Sequence, residues 1–206
     1  MSATNVPKAD GTLTERHADD AYMTPRWCIG AILPHLGRAH RTLDPCCGDG
    51  AILDAFGVGA AYGIEIDPGR ESMARAKGHE VVCADALALP PTLWRRPDRI
   101  VTNPPFALAL PFLERALAEV AEGGTVAFLL RLAWMAGRKR AAFHRAHPSD
   151  VYVLSKRPSF TANGKSDSAE YAWFCFGPGR GGRWSVLDVE SRDELPASTA
   201  GEGASE

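Results

Sequence analysis

Short apolar runs alternate with amphipathic segments through the middle of this chain of 206 residues. Apolar runs bounded by turn-forming residues are typical of buried strands, and the segments between them repeat with a helical period. Strand–helix–strand order predicts parallel strands with right-handed helical crossovers, and therefore a doubly wound α/β sheet. The predicted strands cover 41–45, 60–66, 80–83, 98–102 and 125–130, and the predicted helices cover 51–56, 71–77, 108–121 and 138–147.

Two further strands and one helix flank this series. Residues 151–154 and 171–176 predict two strands that pair antiparallel across a long loop. Ahead of the first strand, 25–36 predicts a helix with Thr24 as its N-cap and Pro25 as its first residue. The expected fold is a mostly parallel seven-stranded sheet with helices on both faces and a C-terminal antiparallel hairpin.

Composition indicates one globular domain, since 45% of the residues are hydrophobic and 23% are charged. We expect this domain over 19–187, between a flexible tail at 1–18 and a flexible acidic tail at 188–206. No apolar run is long enough to span a membrane, and the polar start lacks a signal-peptide core, so a cytoplasmic protein is expected. Five cysteines without CxxC spacing argue against a disulfide framework and against a metal site.

The net charge of −2 conceals an uneven distribution. Between positions 131 and 165 the chain has eight basic residues and a single acid, Asp150, whereas the tail from 188 onward has six acids and one arginine. A basic run is more often a solvated face than a binding surface. It gains significance here only if a substrate site lies beside it.

A glycine loop follows the first predicted strand, in the sequence Leu-Asp-Pro-Cys-Cys-Gly-Asp-Gly. Gly48 and Gly50 allow a ligand to approach the backbone, while Asp44 opposes a pyrophosphate and favours a cationic ligand. Glu65 ends the second strand and is placed to accept both hydroxyls of a ribose, and Asp85 follows the third strand. Each acid alone could cap a helix, but an ordered set at three successive strand ends predicts a cofactor pocket.

The tetrapeptide Asn103-Pro104-Pro105-Phe106 follows the fourth predicted strand. Two prolines remove two amide donors, which leaves the Asn103 side chain and the Pro104 carbonyl as acceptors beside an aromatic ring. An exocyclic amino group could donate to both. Asn-Pro alone also starts ordinary turns, so the tetrapeptide needs the cofactor pocket beside it to carry a functional meaning.

Together these motifs resemble the class I S-adenosylmethionine-dependent methyltransferases, and within them the amino-methylating DNA adenine methyltransferases of gamma-type motif order. The resemblance covers about 20–135, where DPCCGDG, GIEIDP, Cys-Ala-Asp and NPPF are similar to family motifs, preceded by a Thr-Pro segment. It implies that S-adenosylmethionine is bound by Tyr22, Thr24, Asp44, Pro45, Cys46, Gly48, Gly50, Glu65, Ile66, Asp85, Ala86 and Asn103.

The resemblance also implies a Rossmann-like fold and methyl transfer to the N6 amino group of adenine in DNA. Asn103, Pro104, Pro105 and Phe106 would be the catalytic residues, with Phe106 stacking on a base flipped out of the duplex. Few residues follow position 176, too few for a separate recognition domain, so relaxed sequence specificity is expected. Similar small enzymes are encoded by bacteria and phages.

The basic stretch contains the candidate nucleic-acid contacts. An Arg-Pro-Ser-Phe segment and the following Gly-Lys turn lie between the last two predicted strands, in a region typical of substrate-side loops. A hairpin loop that only uses turn-forming residues is the alternative. The candidate contacts to the substrate are Phe106, Arg138, Lys139, Arg157, Phe160 and Lys165.

Several other functions share these motifs. NPPF-type tetrapeptides also occur in enzymes that methylate adenine N6 or guanine N2 in RNA, and in enzymes that methylate a glutamine amide in a protein. The pair Pro45-Cys46 resembles the nucleophile motif of cytosine-C5 methyltransferases, but it lies in the wrong loop. A non-catalytic nucleic-acid-binding module would not need the intact pocket acids and Asn103. Oligomeric state and recognition sequence do not follow from the sequence.

Overall fold

The computed structural model describes residues 6–7, 13–14, 23–160 and 167–188. An eight-stranded sheet forms its centre, and five strands in the middle of the chain run parallel to one another. We number its strands β1 to β8 along the chain, and their order across the sheet is β8-β6-β7-β5-β4-β1-β2-β3. The strands are Thr42–Asp44, Ala61–Glu65, Glu80–Cys83, Arg99–Thr102, Thr125–Arg131, Asp150–Leu154, Tyr171–Phe176 and Trp184–Leu187.

Helices cover both faces of this sheet. Alternate residues of the central strands enter two different apolar clusters, so that Ile100 packs on one face and Val101 on the other. This alternation is what a strand buried on both faces requires. No helix in the described part of the chain is long and apolar enough to span a membrane. The α-helices α1 to α6 are Arg26–Ile32, Ala51–Phe56, Pro68–Ala76, Pro91–Trp94, Ala109–Glu119 and Arg138–Ala146.

The parallel sheet and the C-terminal antiparallel strands confirm the predicted fold class. β7 pairs antiparallel with both β5 and β6. The predicted strand count of seven was wrong by one, because β8 pairs parallel with β6 at the edge of the sheet. β8 lacks a buried apolar pattern, since Trp184 and Val186 are exposed and only Leu187 is buried. An edge strand of this kind gives little periodic signal in a sequence.

The start of the first helix also differs from the prediction. Pro25, not Thr24, occupies the N-cap position of α1, and the helix ends at Ile32, followed by a short 3₁₀ turn. Thr24 was predicted as the cap, but its hydroxyl accepts a hydrogen bond from the Asn103 side chain instead. Asp67 does cap a helix, because its side chain accepts from Arg70 N at 2.9 Å at the start of α3.

The strand order reverses between β1 and β4, which are adjacent in the sheet. β1 is followed by the glycine loop and β4 by Asn103, so both motifs leave the sheet at the carboxyl ends of these two strands. Open α/β sheets bind ligands in the crevice at such a switch point. The topology therefore brings together two motifs that are 59 positions apart at their first residues, Asp44 and Asn103.

The glycine loop is fixed to β2 by close packing at Gly63. Cys47 N donates to Ile64 O at 3.0 Å, which holds the loop against the strand. A Cβ atom at Gly63 would lie 2.4 Å from Cys47 Sγ and 2.7 Å from Cys47 Cβ. Only glycine at this position leaves room for the loop.

We expect Gly63→Ala to lower the free energy of unfolding by about 1–3 kcal/mol, because the strand and the loop must separate. Urea unfolding followed by tryptophan fluorescence measures this change. Adding Cys47→Ala removes the nearest atom and should restore part of the loss. A Gly63→Ala protein as stable as the wild type would contradict the packing described here.

Candidate functional site

The Asp44 carboxylate lies buried at the end of β1, with 1% of the residue exposed. Its Oδ1 accepts from Cys46 N at 3.0 Å, whereas Oδ2 has no hydrogen-bond partner among the described residues. Burial raises the pKa of Asp44 to about 7; the neighbouring Thr102 hydroxyl and Cys46 N act against this rise, and the nearby charge of Glu65 adds to it. A buried acceptor without a partner is costly, and a cationic ligand would relieve that cost.

Glu65 connects the glycine loop to the end of β2. Its Oε2 accepts from Gly48 N at 2.8 Å and its Oε1 from Asp67 N at 2.9 Å. A carboxylate has about four acceptor positions, so each oxygen can accept one further hydrogen bond. The acid thus orders the loop and still has acceptor capacity for a ligand with two hydroxyl groups.

Gly50 and Asp49 complete this loop. Gly50 has φ +87°, a left-handed conformation that turns the chain into α2, and a Cβ there would lie 3.1 Å from the His79 ring. Lys77 Nζ bonds to Asp49 and Asp54 at 3.1 Å each, so a cation from the end of α3 ties the loop to α2. The loop is therefore held by backbone, carboxylate and ammonium contacts together.

The ends of β2 and β3 lie side by side, and Glu65 and Cys83 are in register. Ile66 has 63% of its surface exposed although it is a large apolar residue, and the Asp85 side chain is also exposed. Asp85 Oδ1 accepts from Leu87 N at 2.9 Å, which leaves Oδ2 as an acceptor, while Ala86 is buried. An apolar surface next to an acceptor suits a flat, amino-bearing ring.

Asn103 is oriented by Thr24. Its Nδ2 donates to Thr24 Oγ1 at 3.1 Å, while its Oδ1 is buried without a hydrogen-bond partner among the described residues. Thr24 itself is buried. In this orientation the amide nitrogen is occupied and the oxygen remains available. No backbone amide of the described residues donates to the Pro104 carbonyl either.

Phe106 begins a short 3₁₀ turn after the two prolines and is partly buried. Its ring centroid lies 6.5 Å from that of Phe160 and 5.6 Å from that of Tyr171. The guanidinium of Arg131 lies over the ring, 5.0 Å from its centroid. Phe106, Phe160 and Tyr171 thus form an aromatic group at the ends of β4 and β5. Phe106 is its most exposed member.

The predicted substrate contacts lie in different surroundings. Phe160 is buried against Phe106 and Tyr171, so in this structure it supports the aromatic group. Arg138 is exposed at the start of α6, and Arg157 is exposed and bonded to Glu170, with Nε and Oε1 3.0 Å apart. Their roles as nucleic-acid contacts stay predictions. Tyr22, Lys165 and the Lys139 side chain lie outside the described parts of the chain.

The two loop cysteines remain thiols near neutral pH. Burial raises the pKa of Cys46 well above its ordinary value, and the charges of Asp44 and Glu65 raise it further. The same three causes raise the pKa of Cys47. A nucleophilic cysteine needs the opposite surroundings, with nearby cations and a lowered pKa. This environment disfavours the cytosine-C5 type of chemistry at Cys46.

Sequence reasoning missed the interactions around Arg131, which it treated only as part of a basic run. Arg131 Nε donates to Tyr171 Oη at 3.1 Å, and Tyr171 Oη donates to Asp167 Oδ2 at 2.6 Å. Arg131 Nη2 also contacts Asp167 Oδ2 at 3.3 Å. The partners lie 36 and 40 positions away in the chain, so only the antiparallel pairing of β5 with β7 brings them together.

No family model and no curated protein matches this sequence. Solved structures do match its fold. A protein from Listeria monocytogenes assigned as a class I S-adenosylmethionine-dependent methyltransferase aligns with a TM-score of 0.63 and 16% identity over 82% of this chain and 67% of that chain. A protein from Vibrio vulnificus assigned as the modification subunit of a type I restriction enzyme aligns with a TM-score of 0.60 and 17% identity over 87% of this chain and 50% of its own.

A third match is a protein from Pyrococcus horikoshii assigned as an RNA methyltransferase, with a TM-score of 0.52 and 15% identity over 76% of this chain and 84% of that chain. The protein therefore has the fold of the class I S-adenosylmethionine-dependent methyltransferases. It spans half the length of the Vibrio subunit, since 50% of that chain is covered.

The buried Asp44 makes a testable contribution to stability. Folding raises its pKa from 3.8 to about 7, so the folded protein binds the proton more tightly than the unfolded chain does. Raising the pH from 3.8 to about 7 should therefore lower the free energy of unfolding by up to about 1.4 kcal/mol per pH unit, relative to Asp44→Asn.

Urea unfolding of the ligand-free wild type and of Asp44→Asn at several pH values checks this expectation. Above pH 7 the two pH dependences should run parallel, because Asp44 is then ionised in both states. A constant difference between the two proteins across the whole window would show that Asp44 ionises normally.

Proposed function

We propose that this protein is an S-adenosylmethionine-dependent methyltransferase that acts on the exocyclic N6 amino group of adenine in DNA. The observation that carries the proposal is the Asn103 amide at the sheet's switch point. Its nitrogen is engaged by Thr24 and its buried oxygen has no partner among the described residues. An acceptor fixed in this way is suited to an amino group.

The residues around the glycine loop fit S-adenosylmethionine. Asp44 offers a cation a carboxylate oxygen that has no partner among the described residues, and Glu65 has remaining acceptor capacity for two ribose hydroxyls. The exposed Ile66 provides an apolar surface for the adenine ring, with Asp85 beside it as an acceptor. When bound, S-adenosylmethionine would supply a methyl group activated by its sulfonium charge. The protein residues bind and orient the two substrates.

The pKa of Asp44 predicts how cofactor affinity depends on pH. A cationic ligand favours the ionised carboxylate, so binding below pH 7 requires Asp44 to lose its proton. The Kd for S-adenosylmethionine should therefore rise by up to about tenfold for each pH unit below 7 and level off above it. Calorimetric titration between pH 5.5 and 8 measures this dependence.

Asp44→Asn is the matched control for this titration. It should bind the cofactor more weakly above pH 7, with no pH dependence from this position. If Asp44→Asn shows the same slope as the wild type, another group is responsible for the pH dependence and Asp44 does not face the cation.

Asn103 and Pro104 explain how a weakly nucleophilic amino group could react. The adenine N6 lone pair is delocalised into the ring, and accepting both amino hydrogens at Asn103 Oδ1 and Pro104 O favours a pyramidal nitrogen with a localised pair. Acceptors that are fixed in advance lower the barrier without reorganising during the reaction. Phe106 would stack on the base once it has left the duplex, which offsets part of the cost of unstacking.

Asn103→Ala should lower kcat for adenine methylation at least about 100-fold, because one preorganised polar group is lost. The Kd for S-adenosylmethionine should change by no more than a few-fold. Incorporation of a labelled methyl group into DNA, with mass spectrometry of the released nucleosides, measures the turnover. Retained turnover in Asn103→Ala would rule out this assignment.

Thr24→Val tests the orientation of the amide. The variant keeps the Asn103 side chain but removes the hydroxyl that accepts from Nδ2, so an intermediate loss of kcat is expected. Thr24→Ser keeps the hydroxyl and should restore most of the activity. Equal activity in Thr24→Val and the wild type would mean that the hydrogen bond does not orient Asn103.

Two observations favour DNA as the polymer. The Vibrio match is a modification subunit of a restriction enzyme, and the basic residues between 131 and 165 favour a polyanion over a protein substrate. RNA is the second candidate, because the Pyrococcus match is assigned to RNA and is covered over 84% of its length. Separate DNA, RNA and protein pools with labelled cofactor distinguish these substrates, and N6-methyladenine in DNA is the expected product.

A further inference from the structure

Arg131 ends β5 beside Phe106, outside the set of residues that handle the amino group. Its side chain is 46% exposed, and the Asp167 side chain below it is 17% exposed. Although burial acts to raise the pKa of Asp167, hydrogen bonds from Tyr171 and Ala169 and the charge of Arg131 lower it below its ordinary value. The pair is therefore charged at neutral pH, and the arginine has a fixed position at the protein surface.

The two groups that hold Arg131, Asp167 and Tyr171, are themselves fixed in position. Asp167 Oδ1 accepts from Ala169 N at 3.2 Å, and Asp167 N donates to Pro158 O at 2.9 Å. Tyr171 is fully buried in the sheet. Arg131 is thus held by a buried hydroxyl, an anchored carboxylate and the face of Phe106, which is an unusual amount of support for a surface cation.

The contacts leave part of the guanidinium available. An arginine has five N–H donors, of which Nε–H and one on Nη2 bond to Tyr171 and Asp167. The remaining donors have no partner among the described residues. Arg131 also lines a cavity of about 170 Å³ beside the aromatic group. Its lining comprises Phe106, Leu130, Arg131, Ala133, Trp134 and Arg140.

A second guanidinium lines the same cavity. Arg140 Nε donates to Ala136 O at 2.6 Å, which folds its side chain back toward the start of α6. Phe106 and Trp134 give the cavity an aromatic and apolar lining, and the two arginines give it positive charge. A nucleotide has both properties, with a flat base and a charged phosphate.

We propose that Arg131 is a substrate-positioning residue that binds a backbone phosphate next to the flipped nucleotide, with Arg140 as a second cation at the same cavity. The inference rests on the proposed function and adds the group by which DNA is held. A planar guanidinium fixed at two donors presents its remaining N–H groups in one direction, which suits a phosphate better than a mobile ammonium does. The phosphate fixes the sugar and so places the base against Phe106.

A duplex with one A·T pair among G·C pairs tests this role, in a context that the wild type methylates. Each phosphate near the adenine is replaced in turn by a neutral methylphosphonate, and kcat/KM is measured. Only complexes registered on the single adenine give product. For the wild type, the replacement of one particular phosphate should lower kcat/KM by about tenfold or more. In Arg131→Gln, replacing that phosphate should no longer lower kcat/KM, whereas the effects of the other replacements should be unchanged.

Arg75→Gln is the matched control, since Arg75 is also exposed and paired with a carboxylate, Glu71, at 3.0 Å on α3. Arg131→Gln should reduce the slope of log Kd against log salt concentration by the amount expected for about one phosphate contact. Arg75→Gln should leave the slope unchanged. Arg131→Lys keeps the charge but not the fork, so it should keep the salt dependence and lose part of kcat/KM. Cofactor affinity should be unchanged in all three variants.

Two results would overturn the proposal. The first is the same pattern of linkage sensitivity in Arg131→Gln and the wild type, and the second is equal salt dependence in Arg131→Gln and Arg75→Gln. Failure of the proposed function is distinguishable from both. A wild type that binds the duplex without methylating adenine contradicts the reaction, while the salt dependences still decide whether Arg131 contacts phosphate. A wild type that does not bind DNA overturns both.

Discussion

The candidate site depends on a buried carboxylate, Asp44, with one oxygen that is unpaired within the described part of the chain. Burying an acceptor without a partner costs free energy, and the fold accepts this cost at Asp44 because β1 is fixed between β2 and β4. Cys47 and Gly63 then fix where the glycine loop can lie, through a contact that has no room for a side chain. A polar site held this rigidly is preorganised for a ligand instead of adapting to one.

The same logic explains the pairing of Thr24 with Asn103. An amide has one donor end and one acceptor end, and the hydrogen bond to Thr24 engages the donor end. The Thr24 hydroxyl binds the nitrogen, so the oxygen is the end that remains. Thr24 comes from a segment before α1, and α1 is itself tied to β7 by Trp173, whose Nε1 donates to Cys28 O at 2.9 Å. The orientation of one side chain therefore depends on packing between distant segments.

Features with a local signal were predictable from the sequence, and features created by long-range contacts were not. The parallel strands, the cap at Asp67 and the convergence of Asp44 with Asn103 follow from period, turn chemistry and topology. The edge strand β8 has an exposed apolar pattern that no periodicity rule selects. Arg131 could be counted as a charge, but its position over Phe106 depends on a pairing with β7 that a single sequence does not encode locally.

The charge distribution across the strand ends gives the site a direction. Glu65 and Asp44 lie at the ends of β2 and β1, and Arg131 lies at the end of β5 on the other side of β4. Under the proposed function, the acidic side favours the cationic methyl donor and the basic side favours the polyanion, so the two substrates would meet over the strand between them. Asn103 follows that strand, and a neutral amide suits this place. An acidic residue at position 103 would raise the pKa of Asp44 further. A basic residue there would compete with the methyl donor for the Asp44 carboxylate.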